Sequence, residues 1–337
     1  MPHSASSAHP GTESTAHPLL CDIERTARRL AGQVLHTPVW QWQTGAASQL
    51  APQTEVWLKL ELFQHTGSFK LRGALNCIQA LDAPALTRGV VAASAGNHAV
   101  AVAYAARTAG THALLFMPRH ASPVRVAACR EQGAEVLLTD TIHQAFAQAQ
   151  QAATEGLSMI HPFDGPLTAE GTATIGLELM RQVPWLDAVV VPVGGGGLCG
   201  GIAAAVKQLN PRTQVFGVEP FGADAMYRSF QANAPQVLAR VDTVADSLCA
   251  PYALAYSYGV CRRFVDEIVR VNDREMVAAM HHLFRDMKLA VEPASAASTA
   301  ALLGPLRGAL AGKRVALVVC GANIDTARFS ELLAEAA

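Results

Sequence analysis

The chain has 337 residues, half of them hydrophobic and 16% charged, and its 26 Lys and Arg against 27 Asp and Glu give a formal net charge of -1. That length holds two α/β domains or one large one, and the near-neutral balance without a basic run excludes a nucleic-acid footprint. No apolar run is long and clean enough for a membrane span, and seven scattered cysteines without a C-x-x-C pair fit free thiols in a cytoplasmic protein rather than a disulfide framework or zinc site.

Residues 1–18, "MPHSASSAHPGTESTAHP", are polar and lack the apolar stretch of a signal peptide. They read as a disordered tail whose three histidines offer at most adventitious metal binding. Lys70 follows in "QHTGSFKLRGALN", among small and apolar residues that open a buried helix. An ammonium buried without a partner is unfavourable and loses its proton more easily. Lys70 is therefore either a lysine whose stem lies along a helix or one held near neutrality in order to react. From residue 89 onward strands and helices alternate. "GVVAAS" (89–94) is a strand, followed by an Ala-rich helix ending at Gly110 and a strand over 112–118. A helix then opens with Ser122 as N-cap and Pro123 at its first position, closing before Gly133. "AEVLLTD" is a strand, "TIHQAFAQAQQAATEG" a helix and "LSMIHPF" a strand. Further strands lie at 187–193, 214–220 and 314–321, with a helix near 198–209. Continuous apolar strands separated by helices predict parallel sheets covered on both faces, with ligands beyond the carboxyl ends of the strands.

Three turns leaving those strands stand out. "ASAGNH" places small residues where a helix N-terminus can receive a carboxylate, although a plain βα turn would look similar. "PVGGGGLCGG" (192–201) sets four successive glycines after an apolar strand, which suits a backbone cradling a phosphate. It also matches the dinucleotide fingerprint Gly195-x-Gly197-x-x-Gly200, with Glu219 as the ribose acid, so a nicotinamide dehydrogenase is an alternative at this point. "VVCGANID" ends a buried strand on Cys320, by itself an ordinary small core residue.

Together and in this order, "TGSFKLRGA", "SAGNHA", "VPVGGGGL" and "CGANID" resemble the signature set of pyridoxal-phosphate enzymes of fold type II, the tryptophan-synthase-β class. More narrowly they are similar to the serine/threonine dehydratase and serine racemase group. "HPFDGP", "GTATIGLEL", "GVEP", "VADSL" and "MKLAVEPASAAS" match as well, so the resemblance runs from about 35 to 325. It implies an α/β protein with two domains, each an open, mostly parallel twisted sheet flanked by helices. The expected division is a large cofactor-binding domain of residues 19–86 and 167–337 and a small domain of 87–166.

The resemblance further implies that Lys70 forms the Schiff base with pyridoxal 5'-phosphate and later removes the substrate's α-proton. Phe69 packs against the cofactor ring and Asn97 bonds its hydroxyl. Gly194, Gly195, Gly196, Gly197 and Leu198 present N–H groups to the phosphate, and Cys320 faces the ring nitrogen. Ser94, Ala95, Gly96, Asn97 and His98 receive the substrate carboxylate. A neutral thiol is a weak partner for the ring nitrogen, which suits prompt loss of a β-hydroxyl. The expected activity is a dehydratase, an ammonia-lyase acting on a 3-hydroxy L-amino acid of threonine or serine type. A racemase is the alternative within the fold, and eukaryotic serine racemases carry as the second acid/base a serine where this chain has Ala95. Phe163 also follows the dehydratase pattern. A non-catalytic carrier or sensor of the cofactor is the third reading.

Several departures qualify the carry-over. The family's cation site would use Glu219, the carbonyl of Ala223 and a further acid, but the last position is Ala225, which makes a divalent cation (magnesium or calcium) doubtful. "ADS" (245–247) replaces the common ADG and puts Ser247 near the cofactor. Tyr252, Tyr256 and Tyr258 either line a pocket for a larger β-substituent or simply pack a helix. Glu170 replaces an amide. The chain has no room after "CGANID" for a regulatory domain, so feedback by isoleucine is not expected. The expected partners are an amino-acid substrate and copies of the chain itself, as homodimer or homotetramer, with neither nucleic acid nor membrane.

Overall fold

The computed structural model describes residues 17–51 and 53–335. The larger of its two sheets has six strands in the order β1 (Val39–Trp42), β2 (Glu55–Leu60), β10 (Arg314–Val319), β7 (Ala188–Pro192), β8 (Gln214–Pro220) and β9 (Glu267–Val271). Only β1 with β2 is antiparallel. The smaller sheet is parallel throughout, in the order β5 (Glu135–Thr139), β4 (Ala113–Pro118), β3 (Val90–Ala93) and β6 (Ser158–Met159). Helices flank both sheets, which is why β3, β7 and β10 are apolar along nearly their whole length. Among the described residues no helix is long and apolar enough to cross a membrane.

The strands expected at 89–94, 112–118, 134–140, 187–193, 214–220 and 314–321 form, and the helices between them run Asn97–Ala109, Pro123–Glu131, Ile142–Thr154 and Gly197–Leu209. Two local expectations are corrected. The strand expected over 157–163 has only a two-residue ladder; Ile160 still donates to the Val91 carbonyl, and Pro162 then lacks an N–H to continue. Ser122 occupies the N-cap position, but its hydroxyl donates to Asp325 at 2.9 Å instead of capping the helix. The tail expected at 1–18 lies outside the described residues except for its last two, of which His17 packs edge-on against Phe264. All seven cysteines are free.

The large sheet rests on a buried charge cluster that no local pattern announces. Arg72 and Glu61 are wholly buried and pair through Nε–Oε2 at 2.8 Å and Nη2–Oε1 at 2.9 Å. The same guanidinium donates to both oxygens of Glu178, at 2.7 and 2.9 Å, and Lys59 donates to Glu178 at 2.8 Å. Buried charges persist only when paired and hydrogen-bonded, and every one of these is. The cluster ties β2, the helix Lys70–Gln79 and the helix Pro166–Gln182 together directly behind Lys70.

Candidate active site

The turns leaving β3, β7 and β10 at their carboxyl ends meet around Lys70. The end of β10 positions it. Ser68 bridges to Gly321, the Phe69 N–H donates to the Cys320 carbonyl at 3.0 Å, and the Ala322 N–H donates to the Gly67 carbonyl at 3.0 Å. Lys70 then opens its helix. The residue is half-buried, but its amine is enclosed by protein. Nζ donates to the Pro162 carbonyl at 2.6 Å and lies 5.0 Å from the centre of the Phe69 ring. Burial lowers its pKa to about 8, with Cys320 and Glu292 opposing. A small cavity beside it is lined by Phe69, Lys70, His98, His161, Phe163 and Gly197.

On one side stands the Ser94–His98 turn. Ser94 Oγ accepts from the Gly96 N–H at 3.1 Å, and the thirteen-residue helix that starts at Asn97 leaves its first N–H groups without helical partners. His98 is buried, which pushes its pKa down to about 3, and Nε2 donates to the Ile160 carbonyl at 2.8 Å. Its ring is thus a neutral packing and anchoring group. The Asn97 carboxamide donates to Glu292 at 2.8 Å and Ser247 at 3.3 Å and accepts from Asn323 at 2.8 Å. Ala95 offers only a methyl beside this turn.

On the other side lies the glycine loop. Gly196 has φ +92°, a left-handed conformation that side chains disfavour, and the helix Gly197–Leu209 begins immediately after it. N–H groups at that helix start and the macrodipole favour an anion. Thr172 donates to the Gly197 carbonyl at 2.7 Å and pins the loop from below. A Cβ on Gly197 would lie 2.2 Å from the Phe163 carbonyl oxygen, which is backbone and cannot swing aside. Gly197→Ala is therefore expected to lower stability by about 1–3 kcal/mol and to weaken phosphate binding. Gly308→Ala, where a Cβ meets nothing within 4 Å, should do neither; thermal melts and a cofactor titration check both.

Cys320 closes the third side. It is 2% exposed and its Sγ lies 3.3 Å from Ser295 Oγ. Burial, and then Glu292, push its thiol up to about 12, so it is neutral. Behind it lies a polar layer that sequence reasoning missed. Arg125 donates to the Asn323 carbonyl at 2.9 Å, pairs with Asp246 at 2.5 Å and stands 3.6 Å from Glu292 Oε2. Burial first, and Asp246 next, raise Glu292 to about 7. These residues sit in separate segments, with no shared spacing to reveal them.

The expected cofactor fits this arrangement. An enclosed amine with a lowered pKa faces a cradle of glycine N–H groups, and Ser68 Oγ and Glu292 Oε2 are buried polar atoms without hydrogen-bond partners. A divalent cation does not fit. Glu219 accepts from the Met226 and Tyr227 N–H groups at 2.9 and 2.6 Å, Ala225 supplies no ligand, and both Asp224 oxygens are held by arginines. Glu219 is wholly buried and turned onto the Met226 and Tyr227 N–H groups, so it is not presented to a ribose, and the dinucleotide fingerprint is a coincidence of spacing. The tyrosines divide: Tyr252 lies 6.1 Å from the ring of Phe163, which lines the cavity, whereas Tyr258 packs edge-on against Phe230. Glu170 accepts from Thr26 at 3.2 Å, a bond an amide would accept equally, so nothing in the structure explains the acid at that position.

A family model described as "Pyridoxal-phosphate dependent enzyme" matches residues 31–321. Among similar proteins, the phenylserine dehydratase of Ralstonia pickettii is 48% identical over 322 residues, covering 95% of this chain and 98% of its own. The L-threonine ammonia-lyase of Thermotoga maritima is 39% identical over 90% of this chain and 75% of its own. Maize serine racemase superposes with a TM-score of 0.88 at 32% identity, covering 95% of this chain and 99% of that one.

Proposed function

We infer the activity from the family to which this chain belongs, the pyridoxal-phosphate dependent enzymes: it is an ammonia-lyase (dehydratase) that converts a 3-hydroxy L-amino acid to a 2-oxo acid and ammonia. The observation that carries the reading is Lys70, an enclosed amine with its pKa lowered to about 8, set between an anion cradle and a second helix start.

Pyridoxal phosphate supplies the electron sink that makes the substrate's α-proton acidic. Lys70 is the residue that would hold its aldehyde, the N–H groups of Gly194–Leu198 its phosphate, and Asn97, Phe69 and Cys320 its ring. The chain's own residues then act in order. The Ser94–His98 turn holds the substrate carboxylate by N–H groups and helix dipole. Lys70 Nζ takes the α-proton, a role open to an amine whose neutral form is well populated near pH 8. Lys70 can return that proton to the departing β-hydroxyl, which leaves as water, and Cys320 would face the cofactor ring as a neutral thiol.

The surroundings favour an apolar β-substituent. Phe163 lines the cavity with Tyr252 behind it at 6.1 Å between ring centres, and Arg125, beside the turn at Gly96, is committed to Asp246 and Asn323. Assay of 2-oxo acid from L-serine, L-threonine, phenylserine and 3-hydroxyaspartate tests both parts of the proposal. Phenylserine or threonine should exceed 3-hydroxyaspartate in kcat/KM by at least about tenfold, on the order of 1.4 kcal/mol in transition-state binding; preference for the diacid would overturn the apolar assignment, and no oxo acid from any of them would overturn the dehydratase. Racemisation is the second reading, because a serine racemase shares the fold. With Ala95 ahead of the turn, D-isomer should stay a minor product, and Ala95→Ser should raise its share measurably on a chiral column. We also place the enzyme in the cytoplasm as a homodimer or homotetramer, which sedimentation would decide; seven unpaired cysteines support the compartment.

A further inference from the structure

The turn that would cradle a cation in this fold is held by an arginine instead. Register pairs Arg270 on β9 directly with Glu219 on β8. The guanidinium reaches over the 219–227 turn, where Nη1 donates to Asp224 Oδ2 at 2.9 Å while Arg228 Nε takes Oδ1 at 2.7 Å. Its Cζ lies 3.9 Å from the centre of the Tyr227 ring and 4.7 Å from that of Phe221, so aromatic faces line it on two sides. Asp224 is 1% exposed, a carboxylate that needs a permanent counter-charge. The far end of the turn is fastened as well, by the Asp242 N–H to the Gly222 carbonyl at 2.9 Å.

The turn opens the helix Ala225–Ala232, whose Met226 methyl stands 2.5 Å from where a Cβ on Gly196 would lie. Whatever fixes Asp224 and the start of this helix therefore also fixes the floor of the glycine loop.

We propose that Arg270 is a built-in counter-charge that takes the place of a divalent cation, holding the 219–227 turn so that Met226 supports the phosphate-binding loop, and that the enzyme neither needs nor answers to such ions. Arg270 is thus a positioning residue for the cofactor phosphate. The inference rests on the reading of Gly194–Leu198 as the phosphate site.

The test compares holoenzyme melting, and the dissociation constant of pyridoxal phosphate, for wild type, Arg270→Ala, Arg270→Lys and Arg270→Ala/Ala225→Asp, each in EDTA, magnesium or calcium. Wild type should melt within about 1 °C in all three buffers, a shift too small to report bound-state stabilisation. Arg270→Ala should weaken cofactor binding by on the order of tenfold, about 1.4 kcal/mol, with turnover per bound cofactor little changed. Arg270→Lys keeps the charge and should recover part of that loss. The double variant returns a carboxylate to the turn and frees Asp224 of one partner, so calcium or magnesium should raise its melting point and tighten cofactor binding.

A wild type stabilised by either ion overturns the proposal, as does a double variant indifferent to both, or an Arg270→Ala protein whose cofactor affinity is unchanged. If Arg270→Ala does not fold, the wild-type ion series and Arg270→Lys decide. Failure of wild type to bind pyridoxal phosphate at all would instead sink the phosphate-loop reading, and the two failures are told apart by that one titration.

Discussion

Lys70→Ala is expected to abolish 2-oxo acid formation, with kcat/KM falling by at least about 10³-fold, since the proposed mechanism uses this one residue as both nucleophilic amine and general base. The substituted protein should stay folded, and without cofactor it should be the more stable of the two. The sign follows from the proton balance. Burial lowers the Lys70 pKa from 10.5 to about 8 in the folded chain. Between those pH values the unfolded chain binds more protons, so the stability of the cofactor-free wild type rises with pH across that window. Below pH 8 the folded state carries the full penalty of an enclosed ammonium. The melting point of cofactor-free Lys70→Ala should therefore exceed that of wild type by a few °C below pH 8, and the gap should close as pH climbs toward 10.5. Cofactor uptake by wild type should accelerate with pH and level off above about 8, because only the neutral amine attacks an aldehyde. Equal melting points at pH 7 would mean that the amine is solvated and the cleft open. Residual activity within tenfold of wild type would remove Lys70 from the chemistry altogether.

Arg72→Met should have the largest effect on stability. It removes the cation that compensates Glu61 and leaves that wholly buried carboxylate without a counter-charge, while Glu178 keeps only Lys59. Breaking a buried pair from one side costs about 3–5 kcal/mol, which for a chain this size lowers the melting point by on the order of 10 °C. Methionine fills part of the vacated volume, so the loss reports charge more than cavity. Adding Glu61→Gln should restore part of the loss by removing the unpaired charge. Were the double variant as unstable as the sum of the single ones, the cluster would be acting through packing rather than electrostatics.

Such clusters mark where sequence reading stops. β3, β4, β7, β8 and β10 were legible because strands covered on both faces read as unbroken apolar runs. The first quarter was not, because Lys59 and Glu61 interrupt the run at β2 and are compensated by Glu178 and Arg72, which no local window connects to them. The site divides in the same way. Lys70, the glycine loop and the Ser94–His98 turn each carry chemistry in consecutive residues, and the fold brings them together. Arg125, Asp246, Glu292 and Asn323 come from four separate segments and acquire meaning only through their mutual distances. Ser247, singled out for replacing a glycine, is among them as an Asn97 partner.

The position of β10 also bears on how the chain is made. It lies inside the large sheet between β2 and β7, and its register with β2 joins Arg314 to Glu55. A ribosome must have released the chain through residue 319 before that slot is filled. Until then β2 and β7 present bare edges, the kind of surface on which nascent chains stick to one another. The four-stranded sheet, contiguous from β3 to β6, needs no such wait and can form during synthesis. Translation should therefore yield a folded insert tethered to an unfinished frame. Arrest before residue 314 should give protease-resistant fragments spanning roughly residues 90–160 and a sensitive remainder, and overexpression at high temperature should lose protein to aggregates seeded by the open frame.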